Sequence, residues 1–240
     1  MNKPPGRARR RPALPSGALL LSDSALDSKV PDLLARLPVG VRADVLALGR
    51  ARTCHAGDIL FEQGQAHNGL VLIQSGLVRS YYTSEDAREL TLGYWSAGHF
   101  VGAPQMFGGG QHVWTSVAEQ DIHGLWLPGA ELRTLAGKHA PLAVALCDAL
   151  VHKSQCYCAL LQLLATHSMR VRLARLLSML AARPSGPLIA LSHGQLASII
   201  GATRQCVSQT LAQFAQAELV VRNENGTLLI QQPCLLARLR

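Results

Sequence analysis

Arg204, Gln205, Ser208 and Gln209 fall within six consecutive positions, just after Thr203. At helical periodicity they occupy the first two turns of a helix, away from an apolar stripe made by Val207, Leu211 and Phe214. Side chains of this kind match the edges of base pairs. Arg donates two hydrogen bonds to guanine O6 and N7, Gln bonds adenine in bidentate fashion, and each such pair discriminates by ~1–3 kcal/mol. Thr203, Ser208 and the amides at the helix N-terminus suit phosphates, which set register without reading sequence. Ser192, a short way upstream, belongs to the same candidate set.

The elements that must hold these side chains are legible around them. Ser192-His-Gly-Gln195 has Ser at the N-cap and Gln three residues on, a capping box. The helix it opens, through Ile200, stops at Gly201, which can take a positive φ in a tight interhelical turn. Thr203 then caps a second helix running to about Ala217, and Ala197 is small enough for the two helices to cross closely. Ala197, Gly201 and Val207 follow the helix-turn-helix pattern. Downstream, Leu219–Arg222 and Thr227–Ile230 flank Asn223-Glu-Asn-Gly226, and Asn-Gly between apolar runs predicts a β-hairpin, the wing of a winged helix. Upstream, a helix over Met169–Ala182 is apolar at Val171, Leu173, Leu176, Leu177 and Leu180, and Arg183-Pro-Ser-Gly-Pro187 ends it. The competing reading is a generic helical hairpin with a solvated Arg/Gln face.

Composition agrees with an acidic partner. The chain has 240 residues, 48% of them hydrophobic, and a formal net charge of +8. That charge is uneven: +3 over residues 1–28, −1 over 29–166 and +6 over 167–240. A near-neutral middle joined to a basic C-terminal part predicts a sensor carrying a binder of double-stranded DNA. No apolar run approaches the ~18 residues of a spanning helix, which excludes that class of membrane protein. The first 28 residues, rich in Pro, Arg, Gly and Ser, predict a disordered basic tail. Ala18–Leu21, after Arg9–Arg11, is too short for the apolar region of a signal peptide. Six cysteines at 54, 147, 156, 158, 206 and 234 make no paired framework and predict a reduced, cytoplasmic chain. No phosphate loop, Gly-x-Ser-x-Gly, His-Glu-x-x-His or paired acidic motif marks an enzyme.

Between tail and DNA-binding part, the periodicity changes twice. Asp58–Phe61, Leu70–Ile73, Leu77–Tyr82, Glu89–Trp95, Trp114–Val117 and Ile122–Leu127 read as short strands with Gly at the corners, an antiparallel barrel or roll. Then Leu142, Leu146, Ala149, Lys153, Cys156, Leu160 and Leu163 recur at spacings of 4 and 3. That is a heptad seam on a long helix, predicting pairing with a second copy, and the alternative is a helix covering its own barrel. His152 and Cys156 share a helix face with Cys158 nearby, so they are either the start of a thiol or metal switch or ordinary core residues. Cys206 lies in the recognition helix. No residue is assigned as a metal ligand.

Taken together, Gly57-Asp-Ile-Leu-Phe61 with Gly64, Gly76-Leu-Val-Arg79, Gly98-His-Phe-Val-Gly102, the long helix and Ala202-Thr-Arg-Gln-Cys-Val-Ser-Gln209 resemble the Crp/Fnr superfamily of bacterial transcription regulators, over roughly residues 30–235. The resemblance implies an α+β architecture. A cyclic-nucleotide-binding-like antiparallel β-roll would span 29–136, a dimerisation helix 137–166 and a winged helix-turn-helix 167–240. It further implies a homodimer on a two-fold symmetric operator, with RNA polymerase as a partner.

The effector is expected to differ from cyclic AMP. Members that bind cyclic AMP carry Gly-Glu-Leu in the phosphate cassette and an Arg-Ser or Arg-Thr pair further on. Here Gly102 precedes Ala103-Pro104, and the pair falls near Gly110-Gln111. A buried phosphate without a cation is costly. Iron–sulfur members cluster cysteines near the N-terminus, and this chain has none before Cys54. Haem-binding members use a sensor-domain His, for which His99 and His112 lie in the right region. Gly102, Ala103, Gln111, His112, Trp114 and Thr115 make the candidate effector pocket, its ligand unknown. A constitutive DNA binder with a degenerate sensor is the alternative.

Overall fold

The computed structural model describes residues 32–181, 188–189, 191–223, 227–233 and 236. The basic tail, the stop signal at 183–187, the Asn-Gly corner at 225–226 and Cys234 lie outside the described residues. The first elements are α1 (Val39–Leu48), β1 (Arg50–Cys54), β2 (Ile59–Phe61), β3 (Ala66–His67), β4 (Gly69–Ser75), β5 (Leu77–Thr83) and β6 (Glu89–Ser96). There follow β7 (Phe100–Val101), β8 (Gly110–Gln111), β9 (Thr115–Ala118), β10 (Ile122–Pro128), α2 (Gly129–Lys138), α3 (Ala140–Thr166) and α4 (Met169–Ala181). The C-terminal elements are β11 (Leu188–Ile189), α5 (His193–Ile200), α6 (Arg204–Gln216), β12 (Val220–Arg222) and β13 (Leu228–Ile230).

The roll is two four-stranded antiparallel sheets, β1-β10-β4-β7 and β2-β9-β5-β6, with β3 and β8 paired as a ribbon at one end. Phe61, Val71, Ile73, Val78, Trp95, Ala118 and Ile122 from both sheets meet in one core. Strand β4 is apolar at every position from Leu70 to Ile73, and the two-residue side-chain period explains why. Val71 and Ile73 join the core between the sheets, whereas Leu70 and Leu72 join an outer layer with α1, α2 and the start of α3.

Strand β1 carries no sequence signal because it is an edge strand, buried only at Cys54. The helices α1 and α2, the ribbon β3–β8, β7 and β11 are likewise additions to the expected elements.

Helix α3 runs 27 residues past three apolar clusters in turn. Leu142, Leu146 and Ala149 belong to the outer layer, Cys156 to the core between the sheets, and Leu160 and Leu163 to the core of the winged helix. All seven residues of the expected dimer seam, Lys153 included, are 0–9% exposed within a single chain. This corrects the seam: that stripe packs against the chain's own roll and winged helix. The helix carries a second stripe at the same spacing, Val144, Cys147, Val151, Ser154, Cys158, Leu161 and Ala165, and each of these is exposed. The first stripe holds four leucines and gains more from burial, so folding of the chain claims it.

In the C-terminal part, α4, α5 and α6 pack with the small sheet β11-β13-β12 around Leu173, Leu196, Ile199, Val207, Phe214 and Val220. Leu77 and Tyr94 of the roll enter the same apolar cluster, so α5 lies against β6. Thr91 and Ser198 hydroxyls bond across that contact at 2.9 Å. The Arg172 guanidinium donates to the carbonyls of Leu164 (2.7 Å), His167 (2.8 Å) and Ile200 (3.2 Å), joining the ends of α3 and α5 to α4.

Candidate nucleic-acid interface and sensor pocket

Local chemistry places the recognition helix. The Ser192 hydroxyl accepts from the Gln195 amide at 3.2 Å while the Gln195 side chain accepts from the Ser192 amide at 2.9 Å, completing the capping box. Gly201 sits at φ 63°. A Cβ there would come within 3.1 Å of Leu164, so the turn wants glycine for both strain and space. Thr203 accepts from the Cys206 amide at 3.2 Å and opens α6. Val207, Leu211 and Phe214 are buried, which turns Arg204, Gln205 and Gln209 outward into solvent along with Thr203. Cys206 and Ser208 are half-buried. Ser208 is held: its hydroxyl donates to the Arg204 carbonyl at 2.9 Å and accepts from His193 Nδ1 at 2.7 Å.

His193, on the first turn of α5, was not singled out by sequence. Burial and then the positive charges of Arg222 and Arg204 hold its pKa below the usual value, which puts a histidine and two arginines on one side of the helix pair. Arg222 ends strand β12 and is exposed, so a wing residue extends the basic face. The signal available in sequence was only that Arg222 adjoins the hairpin corner.

The expected effector pocket is partly assembled. Gly102 has φ 103°, and a Cβ there would lie 2.8 Å from the Gly69 carbonyl oxygen, so only glycine fits. Its own carbonyl accepts from His67 Nε2, leaving His67 Nδ1 buried without a partner among the described residues. The His67 and His112 rings lie 4.0 Å apart, and His112 stacks on Phe61 at 4.3 Å. Burial, then His67, lowers the His112 pKa to about 4. Gly102, Ala103 and His112 therefore share one buried corner with His67, which sequence reasoning missed. Gln111 faces solvent. Thr115 is buried in β9, where its hydroxyl accepts from the Gln63 amide at 3.2 Å. Trp114 meets Tyr157 of α3 edge-on at 5.7 Å.

A second buried polar cluster lies where α3 crosses the roll. Lys153 Nζ sits 3.3 Å from the centroid of Trp95 and 5.2 Å from that of Phe100. His99 packs 5.7 Å from Trp95 and 5.8 Å from His152. Burial, then Lys153, lowers the His99 pKa to about 4. No group of three or more His, Cys, Asp or Glu is arranged to hold a metal among the described residues.

Comparison with known proteins decides the family. Residues 51–139 match the cyclic nucleotide-binding domain model and residues 171–239 the Crp-like helix-turn-helix domain model. A relative from Thermus thermophilus named cyclic AMP receptor protein is 30% identical over 180 residues, 75% of this chain and 83% of that protein. The chain belongs to the Crp/Fnr family. Solved structures share its α+β fold. The c-di-GMP responsive global regulator CLP of Xanthomonas campestris has a TM-score of 0.74 at 21% identity, covering 80% of this chain and 99% of that one. A CooA mutant from Carboxydothermus hydrogenoformans has a TM-score of 0.69 at 22% identity, covering 92% and 98%. As a Crp/Fnr protein, the chain is a transcription regulator with a cyclic-nucleotide-binding-type domain and a DNA-binding helix-turn-helix. No helix among the described residues is long and apolar enough to cross a membrane.

Proposed function

We propose that the protein is a cytoplasmic homodimer that binds a two-fold symmetric operator sequence-specifically. In this reading it works with RNA polymerase, has no catalytic activity, and senses an effector other than cyclic AMP. The observation that carries the DNA reading is the exposure of Arg204, Gln205 and Gln209 on the first two turns of α6, where a helix enters a major groove. Thr203, Ser192 and Ser208 flank them, with Ser208 acting through its bond to His193. The exposed stripe on α3 supports the dimer: Val144, Val151 and Leu161 are 60%, 56% and 66% exposed at heptad spacing.

Against cyclic AMP stand the residues of the cassette. Ala103-Pro104 and Gly110-Gln111 supply neither the carboxylate nor the cation of the cyclic AMP binders, and the His67 imidazole bonds the Gly102 carbonyl instead, with His112 packed beside it. Haem fits poorly at either expected histidine. His99 has aromatic rings within 6 Å on two sides, Trp95 at 5.7 Å and His152 at 5.8 Å, and His112 is sandwiched between Phe61 and His67. The constitutive alternative draws on the same corner, which its own side chains fill.

Selection of bound duplexes from a random library at near-physiological salt tests the reading. The expected result is an inverted repeat with half-sites about one helical turn apart. Arg204→Ala should then relax preference at one base position. Recovery of no motif, with or without reductant and cell extract, would refute sequence-specific regulation. Operator affinity that no small molecule changes would favour the constitutive binder.

A further inference from the structure

The outer stripe of α3 is uncovered in the single chain, all seven of its residues being exposed. Val144, Val151, Cys158 and Ala165 repeat along it every seven residues, and Cys147, Ser154 and Leu161 repeat likewise three positions further on. β-Branched side chains in the first series with leucine in the second favour two parallel strands, in which each residue of the seam meets its own copy across the two-fold axis. Cys147 and Cys158 are the exposed cysteines among the described residues, and both lie in this seam. Cys54 and Cys156 are buried, and burial pushes the Cys156 thiol up to about 11.

Packing sets the distance between the two copies. Packed helix axes lie about 8–10 Å apart and Cα atoms sit ~2.3 Å off each axis, so facing Cα atoms come to about 4–6 Å. A disulfide needs ~4.4–6.8 Å. The small side chains of Cys147, Ser154, Cys158 and Ala165 favour close approach. Along the helix Cys147 and Cys158 stand about 16 Å apart, too far for either to reach the other's copy in a parallel pair. We propose that Cys147 and Cys158 each form a disulfide with the same residue of a second copy, so that peroxide converts a dissociable dimer into a covalent one. The assignment rests on the homodimer reading.

Peroxide meets the Cys158 thiolate in the free chain, where the residue is exposed. The sulfur attacks one oxygen, the O–O bond breaks, and a sulfenic acid and hydroxide result. On pairing, the thiolate of the partner's Cys158 attacks the sulfenic sulfur, the S–S bond forms, and a second hydroxide leaves. The two hydroxides take up the two thiol protons as water, so two thiols lose two electrons and one peroxide gains them. Cys147 follows the same steps. Exchange with a reducing thiol reverses the bond, and in a reducing compartment it is transient, the usual behaviour of redox-sensing disulfides there. The consequence falls on the operator, because two half-sites need paired chains. At one-tenth of the reduced dimer's dissociation constant about 15% of chains are paired by mass action, so complete cross-linking raises the concentration of binding-competent dimer about sevenfold.

The test treats the full chain at that concentration with hydrogen peroxide and blocks the remaining thiols. A non-reducing gel, mass spectrometry of linked peptides and binding to the selected operator then read the result. The wild type should give a linked dimer whose peptides join Cys147 to the partner's Cys147 and Cys158 to the partner's Cys158. Operator occupancy at subsaturating protein should rise about sevenfold and return to its starting value with dithiothreitol. Cys147→Ser and Cys158→Ser should each still link through the remaining cysteine, and the double replacement should neither link nor respond to peroxide. A linked dimer in the double variant, a peptide joining Cys147 to the partner's Cys158, or linkage that does not raise operator occupancy overturns the assignment. Sedimentation in reductant separates the two ways of failing. A reduced dimer that peroxide does not link overturns this site and leaves the homodimer standing, whereas a monomer at every concentration overturns both.

Discussion

Leu161→Asp should split the dimer without harming the fold. Leu161 is 66% exposed in the single chain, on the outer stripe with Val144 and Val151. Full burial of such a side chain is worth ~1.5–3 kcal/mol. About two-thirds of that remains to be gained at Leu161, and symmetry doubles it, so the substitution removes roughly 3 kcal/mol from association. The two new carboxylates would also face each other across the axis. The dissociation constant should therefore rise by at least about 100-fold. Sedimentation velocity across a concentration series reads this directly, and circular dichroism checks that the monomer keeps its helices. Leu146→Asp is the contrast: at 1% exposure in the outer layer it should unfold the chain rather than dissociate it. Mild oxidation should cross-link copies through Cys147 or Cys158, which lie on the outer stripe, and not through the buried Cys156. An intact Leu161→Asp dimer, or cross-linking lost only in Cys156→Ser, would refute the assignment of the outer stripe.

Three further outcomes are expected. Tyr94 is 0% exposed and its hydroxyl has no partner among the described residues, so Tyr94→Phe should stabilise the protein by about 1 kcal/mol, a rise of a few degrees in melting temperature; a lower melting temperature would mean that the hydroxyl is satisfied. The native state holds His99 and His112 neutral down to about pH 4, whereas the unfolded chain takes up those protons near 6.5. Stability should therefore be complete above pH 6.5 and fall between 6.5 and 4, by up to about 3 kcal/mol per group, and urea midpoints in His99→Gln should show a shallower acid limb. His193 should take up a proton beside DNA phosphates, so operator affinity should rise as pH drops from 8 to 6 and flatten in His193→Gln; an unaltered slope would remove His193 from the interface.

The DNA-reading helix pair was legible in sequence because its signals are local. A capping box joins residues three apart, Gly201 declares its own backbone conformation, and the stripe of Val207, Leu211 and Phe214 is a property of one helix. The longer strands of the roll were legible for the same reason, as short apolar runs with Gly at their corners written within each segment. Strand β1 was not, since an edge strand of mostly exposed residues carries no alternation to find.

The sensor side was less legible. The cassette's departure from the cyclic AMP pattern could be seen in Ala103-Pro104 and Gln111, but nothing in their spacing brings His67 against Gly102 and His112. Nor does Lys153 announce itself: within a heptad it reads as a flaw in a seam.

Sequence by itself determined the longer strands of the roll, the long helix, the helix pair of the C-terminal part, the family resemblance, and the separation of a neutral sensor from a basic DNA-binding part. Each of these is fixed by neighbours along the chain. Only the tertiary structure decided which of the two stripes on α3 turns inward, since both repeat at spacings of 4 and 3 and the choice depends on what surface the roll presents. It also decided that Ser208 is held by His193, and that Lys153, His99 and His152 converge where α3 crosses the roll. Convergence of residues distant in sequence is set by packing of whole elements, and no local pattern encodes it.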